Sequence, residues 1–287
     1  MKLEIRHETV YRYDVHAHHS TQYLRLTPPS TDHQRIVEWE LNLPGKASSG
    51  VDAFGNIFHV LTLDHPHDEI HLIASGVVET TDQPWQQSAG LLSPLVFLRT
   101  TPLTECDHAL RQFAQPFAAA IVTDPTTGLQ QLAAAILDAM PYRKGETFSD
   151  TPAAMAFAQG AGVCQDHSHV FIACCRQLGI PARYVSGYLV TDDEGHVASH
   201  AWAEAWFAGR GWVRIDPTAA IAPERIERGM DAMTEDATLF GSDAVSQLQY
   251  QQFKVLKEMR ELADYASYLW QRDIVGFDHH RQQDQLW

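Results

Sequence analysis

Basic residues and cysteines are both scarce in this chain, and each scarcity excludes some classes of function. Of 287 residues, 21 are lysine or arginine and 36 are aspartate or glutamate, a formal net charge of −15. This balance repels phosphate backbones and anionic lipid, so nucleic acid is not expected as a partner. The four cysteines form no C-x-x-C pair and no zinc-like spacing. We therefore expect reduced thiols, no metal, no cofactor and a cytoplasmic location.

Long apolar runs and export signals are missing as well. No 18 consecutive residues stay apolar, which argues against a membrane span. The first residues, MKLEIRHETVYRYD, alternate charged and apolar positions and lack the apolar region of a secretory signal. Despite 16 histidines there is no H-E-x-x-H motif, which disfavours a metal-dependent hydrolase. A hydrophobic content of 45% still allows a substantial buried core.

The first part of the chain has the pattern of an all-β unit. Up to about residue 82, runs such as YLRLTP and NIFHVLTLD are separated by clusters of Pro, Gly, Asp and Ser. A polar stretch at 83–90, with Pro84 inside it, predicts a linker into the next domain.

The remainder of the chain predicts a mixed core and a helical tail. The predicted core elements are helices over about 104–119, 126–139 and Cys164 to Gly179, and strands over 183–190, 198–207 and 210–216. An apolar stripe predicts a long helix near 243–271. This order indicates an α+β protein. We predict a β-rich domain at 1–85, a core at 86–220 and a helical extension at 221–287.

The segment GAGVCQDHSHV places Cys164 at the first turn of a helix. Unpaired backbone N–H groups and the positive end of the helix dipole favour the thiolate there. Gly160 and Gly162 carry no side chains, so a substrate backbone is expected to approach the sulfur. The backbone N–H of Cys164 is then a candidate donor to an oxyanion, and Gln159 is a second candidate donor.

The segments ASHAWAEAWF and RGWVRIDP are predicted to form a hairpin that carries a base and its partner. If Phe207, Ala208 and Gly209 form the loop, His200 lies directly opposite Asp216. The same register pairs Trp202 with Arg214 and Glu204 with Trp212. A Cys-His-Asp triad for acyl transfer follows from this arrangement.

The segments GAGVCQDHSHVFIACCRQLGIPARYVSGY, SHAWAEAWF and GWVRIDPT resemble the Cys, His and Asp boxes of the transglutaminase-like superfamily. IRHETVYRY, YLRLTPPS and DAFGN resemble the β-rich domain that precedes the core in bacterial members. The resemblance covers about residues 1–218. It implies a papain-like, transglutaminase-core fold in which the helix carrying the cysteine packs on an antiparallel sheet.

The resemblance also implies roles for individual residues. Cys164 would be the nucleophile, His200 the general base and Asp216 the orienting acid. His167 stands where the bacterial members have an aromatic or apolar residue. It places a second imidazole one helical turn from the thiol, as a candidate site residue that would perturb the thiolate or compete as its partner. Trp202 is favoured as a core residue, with shielding of a thioester as its alternative role.

The expected function is cysteine-dependent acyl transfer on peptide or glutamine-type amides through a thioester. Hydrolysis is favoured over cross-linking, because no sequence feature marks a site for an acceptor amine. A true transglutaminase and a non-catalytic scaffold with the same fold are the alternatives. The partner is a peptide or protein amide substrate, and the sequence leaves the oligomeric state open.

Overall fold

The structure, a computed structural model, describes residues 2–31, 34–80, 92–190, 197–219 and 240–242. The predicted linker at 83–90 and the predicted helix at 243–271 lie outside these residues. Within the described part, the predicted order of a β-rich region followed by a mixed α and β region is confirmed. The domain boundaries stay predictions.

The N-terminal region contains six described strands. They are β1 (Lys2–Ala17), β2 (Ser20–Thr27), β3 (Gln34–Asn42), β4 (Ala47–Val51), β5 (Ile57–Leu63) and β6 (His67–Thr80). They form two antiparallel sheets, in the orders β1-β6-β3 and β2-β5-β4. Buried aliphatic side chains from β2, β5 and β6 form a hydrophobic core: Leu24, Leu61, Leu63, Ile70 and Leu72. This region is therefore the all-β unit that the sequence predicts.

Strand β4 was not predicted from the sequence. Its residues, ASSGV, lack an alternation of apolar and polar side chains, which is the usual strand signal. Gly50 of β4 faces Phe58 of β5, and a Cβ on this glycine would lie 2.7 Å from the phenylalanine ring. The missing side chain at Gly50 thus makes room for the aromatic ring across the strand pair.

Five α-helices follow in the described core. They are α1 (His108–Ala114), α2 (Ala118–Thr123), α3 (Pro125–Ala139), α4 (Ala153–Gln159) and α5 (Cys164–Gln177). The predicted helix at 126–139 is confirmed as α3, whose first turn is capped by the Asp124 side chain. Helix α4 was not predicted, because its seven residues are too few to show a helical period.

The prediction of one helix over 104–119 is wrong. The Asp107 carboxylate accepts the backbone N–H of Leu110 at 2.8 Å, so α1 starts at His108. Pro116 has no backbone N–H to donate and ends the regular helix. A 3₁₀ turn at Gln115–Phe117 therefore separates α1 from α2.

Helix α5 is the central helix of the core. It starts at Cys164, as predicted, and ends just before Gly179, whose φ of +77° suits a residue without a side chain. Residues 166–175 are all buried. They pack against α1, α3 and α4 on one side and against the sheet on the other. This is the predicted packing of the cysteine helix on an antiparallel sheet.

The core sheet contains four described strands. They are β7 (Ala182–Val190), β8 (Val197–Phe207), β9 (Gly211–Ile215) and β10 (Phe240–Ser242), in the order β10-β7-β8-β9. All neighbouring strands are antiparallel. Strand β10 lies within the predicted tail domain and adds an edge to β7. The α+β class is therefore confirmed.

The predicted register between β8 and β9 is wrong by two residues. Glu204 faces Arg214, and Phe207 faces Gly211. The loop is Ala208 to Arg210, closed by the Arg210 N–H, which donates to the Phe207 carbonyl at 3.0 Å. The predicted direct pairing of His200 with Asp216, of Trp202 with Arg214 and of Glu204 with Trp212 does not occur. A shift of two residues keeps every side chain on its predicted face, because the period of a strand is two.

Candidate active site

Cys164 is the first residue of α5 and is half-buried. The backbone N–H groups at this helix end have no partners inside the helix, and the helix dipole places positive charge beside the sulfur. The position is therefore suited to a nucleophilic cysteine.

Asp166 fixes the start of α5. Its Oδ2 accepts the backbone N–H of Val163 and the hydroxyl of Thr147, both at 2.7 Å. Burial raises the pKa of Asp166, and these hydrogen bonds together with the nearby His167 act against that rise. The carboxylate thus ties the residue before the cysteine to the preceding loop.

The structure explains why glycine is required at both positions before the cysteine, which the sequence did not reveal. A Cβ on Gly162 would lie 2.6 Å from the Asp166 Cβ and 2.7 Å from its Oδ2. Gly160 has a φ of +67° and ends α4 in the left-handed conformation. Both glycines therefore shape the protein's own backbone beside Cys164.

His200 and Asp216 form a buried pair across β8 and the end of β9. The Nε2 atom of His200 lies 2.8 Å from Oδ2 of Asp216, and His200 is 2% exposed. The other carboxylate oxygen, Oδ1, accepts the backbone N–H of Thr218 at 2.9 Å and its hydroxyl at 2.8 Å. The hydrogen bonds to its two oxygens thus hold the Asp216 carboxylate in one orientation.

His200 and Asp216 each stabilise the charged form of the other. Burial lowers the pKa of His200, but the charge and hydrogen bond of Asp216, together with the Cys164 side chain, outweigh burial and raise it. Burial raises the pKa of Asp216, but His200 and the Thr218 donors outweigh it and lower the pKa. The pair therefore favours an imidazolium facing a carboxylate.

The thiol and the imidazole share one cleft. Cys164 and His200 both line a cavity of about 260 Å³. With Nε2 engaged by Asp216, Nδ1 of His200 is buried and has no hydrogen-bond partner within the described residues. Nδ1 is therefore the ring nitrogen left for the sulfur, whose side chain contributes to the raised pKa of His200. The structure thus brings together Cys164, His200 and Asp216.

The other three predicted site residues do not line the cleft. Gln159 is exposed at the end of α4 and does not line the cleft. Trp202 is fully buried under the site, with its ring centroid 6.3 Å from that of His200 and 5.4 Å from the Arg214 guanidinium. This placement agrees with a core role for Trp202. An oxyanion role for Gln159 stays a prediction without a supporting contact.

His167 is buried and does not line the cleft. Its Nδ1 lies 2.7 Å from the Val163 carbonyl oxygen, and its Nε2 lies 2.5 Å from that of Met140. Both ring nitrogens are therefore engaged by backbone, and the ring joins the end of α3 to the start of α5. It acts on the position of Cys164 through the backbone.

Tyr142 is a neighbour of the thiol that the sequence reading missed. It forms an isolated bridge with Gly162, and its ring stacks on His167 at 6.2 Å. Burial, followed by the charge of Cys164, raises the pKa of Tyr142, whose side chain also contacts the backbone N–H of Cys164. The residue lies in a loop 22 positions before the cysteine, where no spacing signal indicates a role.

The remaining cysteines lie in environments that disfavour a thiolate. Cys174 and Cys175 are completely buried, and burial raises the pKa of both thiols. Burial also raises the pKa of Cys106, which is half-buried beside Asp107. Cys174 and Cys175 are thus placed as packing residues, and none of the three positions suits a nucleophile.

Two general features of the described residues bear on partners. None of the helices there combines the length and apolar character that a membrane crossing requires. The same residues contain no group of three or more histidine, cysteine, aspartate or glutamate side chains arranged to hold a metal ion.

Two family models match the chain. That of the transglutaminase-like superfamily matches residues 111–217, and that of the bacterial transglutaminase-like N-terminal region matches residues 3–79. The uncharacterized protein Rv2569c of Mycobacterium tuberculosis is 32% identical over 248 residues, which cover 76% of this chain and 78% of that protein. The chain belongs to the transglutaminase-like superfamily.

Two further relatives show the range of this superfamily. A protein-glutamine gamma-glutamyltransferase of Pseudomonas aeruginosa is 33% identical over 135 residues, which cover 44% of this chain and 20% of that protein. The crystal structure of a candidate cysteine protease from Cytophaga hutchinsonii has a TM-score of 0.62 and 23% identity, covering 84% of this chain and 86% of that one. That likeness confirms the transglutaminase-like fold. Membership of the superfamily supports a cysteine-dependent enzyme in general.

Proposed function

We propose that this transglutaminase-like protein is an acyl-transfer enzyme that acts on peptide or glutamine-type amides through a thioester on Cys164. The observation that carries the proposal is the position of one imidazole. His200 binds the Asp216 carboxylate through Nε2 and keeps Nδ1 for the cleft that Cys164 lines. In this proposal Cys164 is the nucleophile, His200 the acid and base, and Asp216 the orienting residue.

The proposed reaction begins from a thiolate and an imidazolium. The sulfur attacks the amide carbonyl, a C–S bond forms, and the carbonyl electrons move onto oxygen. In this proposal the substrate oxygen replaces the Tyr142 side chain as the partner of the Cys164 backbone N–H, at the first turn of α5, and that N–H stabilises the charge. His200 then donates its proton to the amide nitrogen, the C–N bond breaks, and an amine leaves. A thioester and a neutral imidazole remain.

Hydrolysis completes the proposed cycle. Neutral His200 takes a proton from water as the water oxygen attacks the thioester carbonyl. The C–S bond breaks, a carboxylic acid leaves, and the thiolate and imidazolium are restored. Asp216 stabilises the imidazole in the steps in which it is charged, in agreement with the raised pKa of His200. Hydrolysis is favoured because no sequence feature marks a site that would hold an acceptor amine.

Amine transfer is the second candidate. It uses the same thioester and replaces water with a primary amine, so the triad alone does not distinguish the two reactions. The likeness over 135 residues to a protein-glutamine gamma-glutamyltransferase supports it. A scaffold that has lost catalysis is the third alternative. The cytoplasmic location expected from the sequence stays a prediction.

A single incubation separates these candidates. The protein is incubated with a peptide library, with and without a primary amine, and the products are identified by mass spectrometry. Peptide cleavage or deamidation supports hydrolysis, and amine incorporation supports transfer. Cys164→Ala should abolish every product, while Cys106→Ala, a change at the other half-buried cysteine, should retain them. Product formation by Cys164→Ala would refute the proposed function.

A further inference from the structure

The candidate cleft has a second wall that comes from the N-terminal β region. We name it the β wall and define it by six side chains on β1, β2 and β6: His7, Thr9, Tyr11, Leu24, Leu26 and Leu72. Its three β1 members are alternate residues, so a single face of β1 is turned toward the thiol. Neither the sequence nor the triad assigns a role to this surface.

A hydrophobic contact holds one end of the β wall against the core. Leu3 and Ile5 lie on the same face of β1 as the β wall, and they are buried together with Val78. Tyr188 of β7 packs against this cluster. Its ring also meets that of His7 edge to face, with 5.5 Å between the ring centroids. The strand that forms the wall is thus fixed to the sheet that carries His200.

The turn between β4 and β5 provides a second anchor. The Phe54 ring lies 5.9 Å from that of Phe97, which in turn lies 5.1 Å from the ring of Trp212 on β9. Asp52 of the same turn binds Nε of Arg25 at 3.0 Å, at the edge of the cleft. The carboxylate balances the positive charge of Arg25, so this arginine does not give the cleft a net charge.

The chemistry of the β wall suits an apolar substrate side chain. Leu26 presents aliphatic surface and Tyr11, which is 37% exposed, adds an aromatic ring, while Leu24 and Leu72 at the same wall are almost completely buried. A cleft of about 260 Å³ is near the small end of ligand sites and matches a short peptide segment. The net charge of −15 also disfavours an acidic peptide.

We propose that the β wall selects the acyl substrate by binding an apolar or aromatic side chain next to the reactive amide. This inference rests on the proposed function, because it places the acyl group at Cys164. It assigns a role to the N-terminal region: the β domain supplies specificity, and the core supplies the reacting groups. Tyr11 and Leu26 are the specificity-determining residues on which the test depends.

The test uses short peptide amides that differ in one residue beside the reactive amide, which is Phe, Leu, Ala or Asp. The first readout is kcat/KM for each peptide with the wild-type chain. The second readout is binding of the same peptides to Cys164→Ala by calorimetry, which requires no turnover. We expect a preference for Phe and Leu over Ala and Asp in both readouts.

Changes to the β wall should remove this preference. Tyr11→Ala and Leu26→Ala should each reduce the ratio of Phe to Ala peptides about tenfold, within the range that a hydrophobic subsite provides. Val10→Ala is the matched control, because Val10 is the neighbouring β1 residue, equally exposed at 37%, and lies on the opposite face of the strand. The control should keep the wild-type ratio.

The two readouts separate failure of the inference from failure of the proposed function. Turnover with a Phe to Ala ratio that neither β-wall variant changes would overturn the inference and leave the function standing. Selective binding that Tyr11→Ala removes, without turnover of any peptide, would support the β wall and refute the function. If neither binding nor turnover depends on the varied residue, the inference is overturned.

Discussion

Replacing Asp216 with asparagine tests the proposed mechanism most directly. The change removes one negative charge from beside His200 and preserves the shape of the side chain. The 2.8 Å hydrogen bond loses its charge, and such a bond is worth about 1.5 to 3 kcal/mol. Because each 1.36 kcal/mol is a factor of ten in rate, kcat/KM should fall roughly ten- to a hundredfold at neutral pH.

The dependence of kcat/KM on pH should also change, in a direction that the structure predicts. A thiolate and imidazolium pair loses activity as pH rises through the pKa of the imidazolium. Asp216 raises that pKa against the effect of burial, so Asp216→Asn should lower it and move the alkaline limb of kcat/KM to lower pH. The assay is kcat/KM on a peptide amide from about pH 5 to about pH 11, a range that extends beyond the pKa of His200, which is raised to about 10.

A matched control is available on the surface of the β region. Asp64 pairs with His19 in the same way, but its side chain is 77% exposed. Asp64→Asn should therefore leave both the rate and the pH profile unchanged, because solvent already screens that pair. If Asp216→Asn keeps the wild-type alkaline limb, the proposed role of the carboxylate is wrong.

Three further predictions concern the protein around the site. At pH 6, iodoacetamide should label Cys164 faster than the other cysteines; equal labelling, read by peptide mass spectrometry, would contradict an activated thiol. Gly162→Ala should lower the free energy of unfolding in urea by about 1 to 3 kcal/mol, because its Cβ would overlap Asp166; an unchanged midpoint would contradict this packing. Glu204→Gln should lower the free energy of unfolding by about 3 kcal/mol in the same assay, because it removes the buried charge 2.7 Å from Arg183. Glu69→Gln, at an exposed ion pair, is the control, and equal effects of the two changes would contradict a role for the buried pair in stability.

The hairpin shows what a strand pattern predicts and what it leaves open. Alternation in ASHAWAEAWF and RGWVRIDP predicted correctly that His200 and Asp216 share one face of the sheet. The pattern repeats every two residues, so it fits two registers that differ by two positions equally well. The choice depends on the loop, where Gly209 and Gly211 both have positive φ. Two neighbouring glycines allowed two loop positions, and the sequence reading chose the wrong one.

The cysteine helix was predictable because its signals are local. Gly162 before Cys164 and Gly179 after the last turn delimit the helix, and apolar spacing indicates its buried face. The actual reason for Gly162 was not predictable, because it depends on the Asp166 side chain folding back over the backbone. Tyr142 was missed for the same reason: its contact with Gly162 joins distant parts of the chain.

The β wall bears on the choice between water and an amine as acceptor. A cleft of about 260 Å³ is small for a ligand site, so a bound peptide segment would fill much of it. In the proposed reaction, the amine product must leave before the acceptor reaches the thioester, and the space it vacates lies beside His200. Water fits that space without a binding site, whereas a primary amine must bring enough binding energy to compete with water. The described residues that line the cleft include no aspartate or glutamate, and Asp52, which lies next to the cleft, is paired with Arg25. We therefore predict that hydrolysis dominates, and amine incorporation at the expense of cleavage in the library assay would refute that prediction.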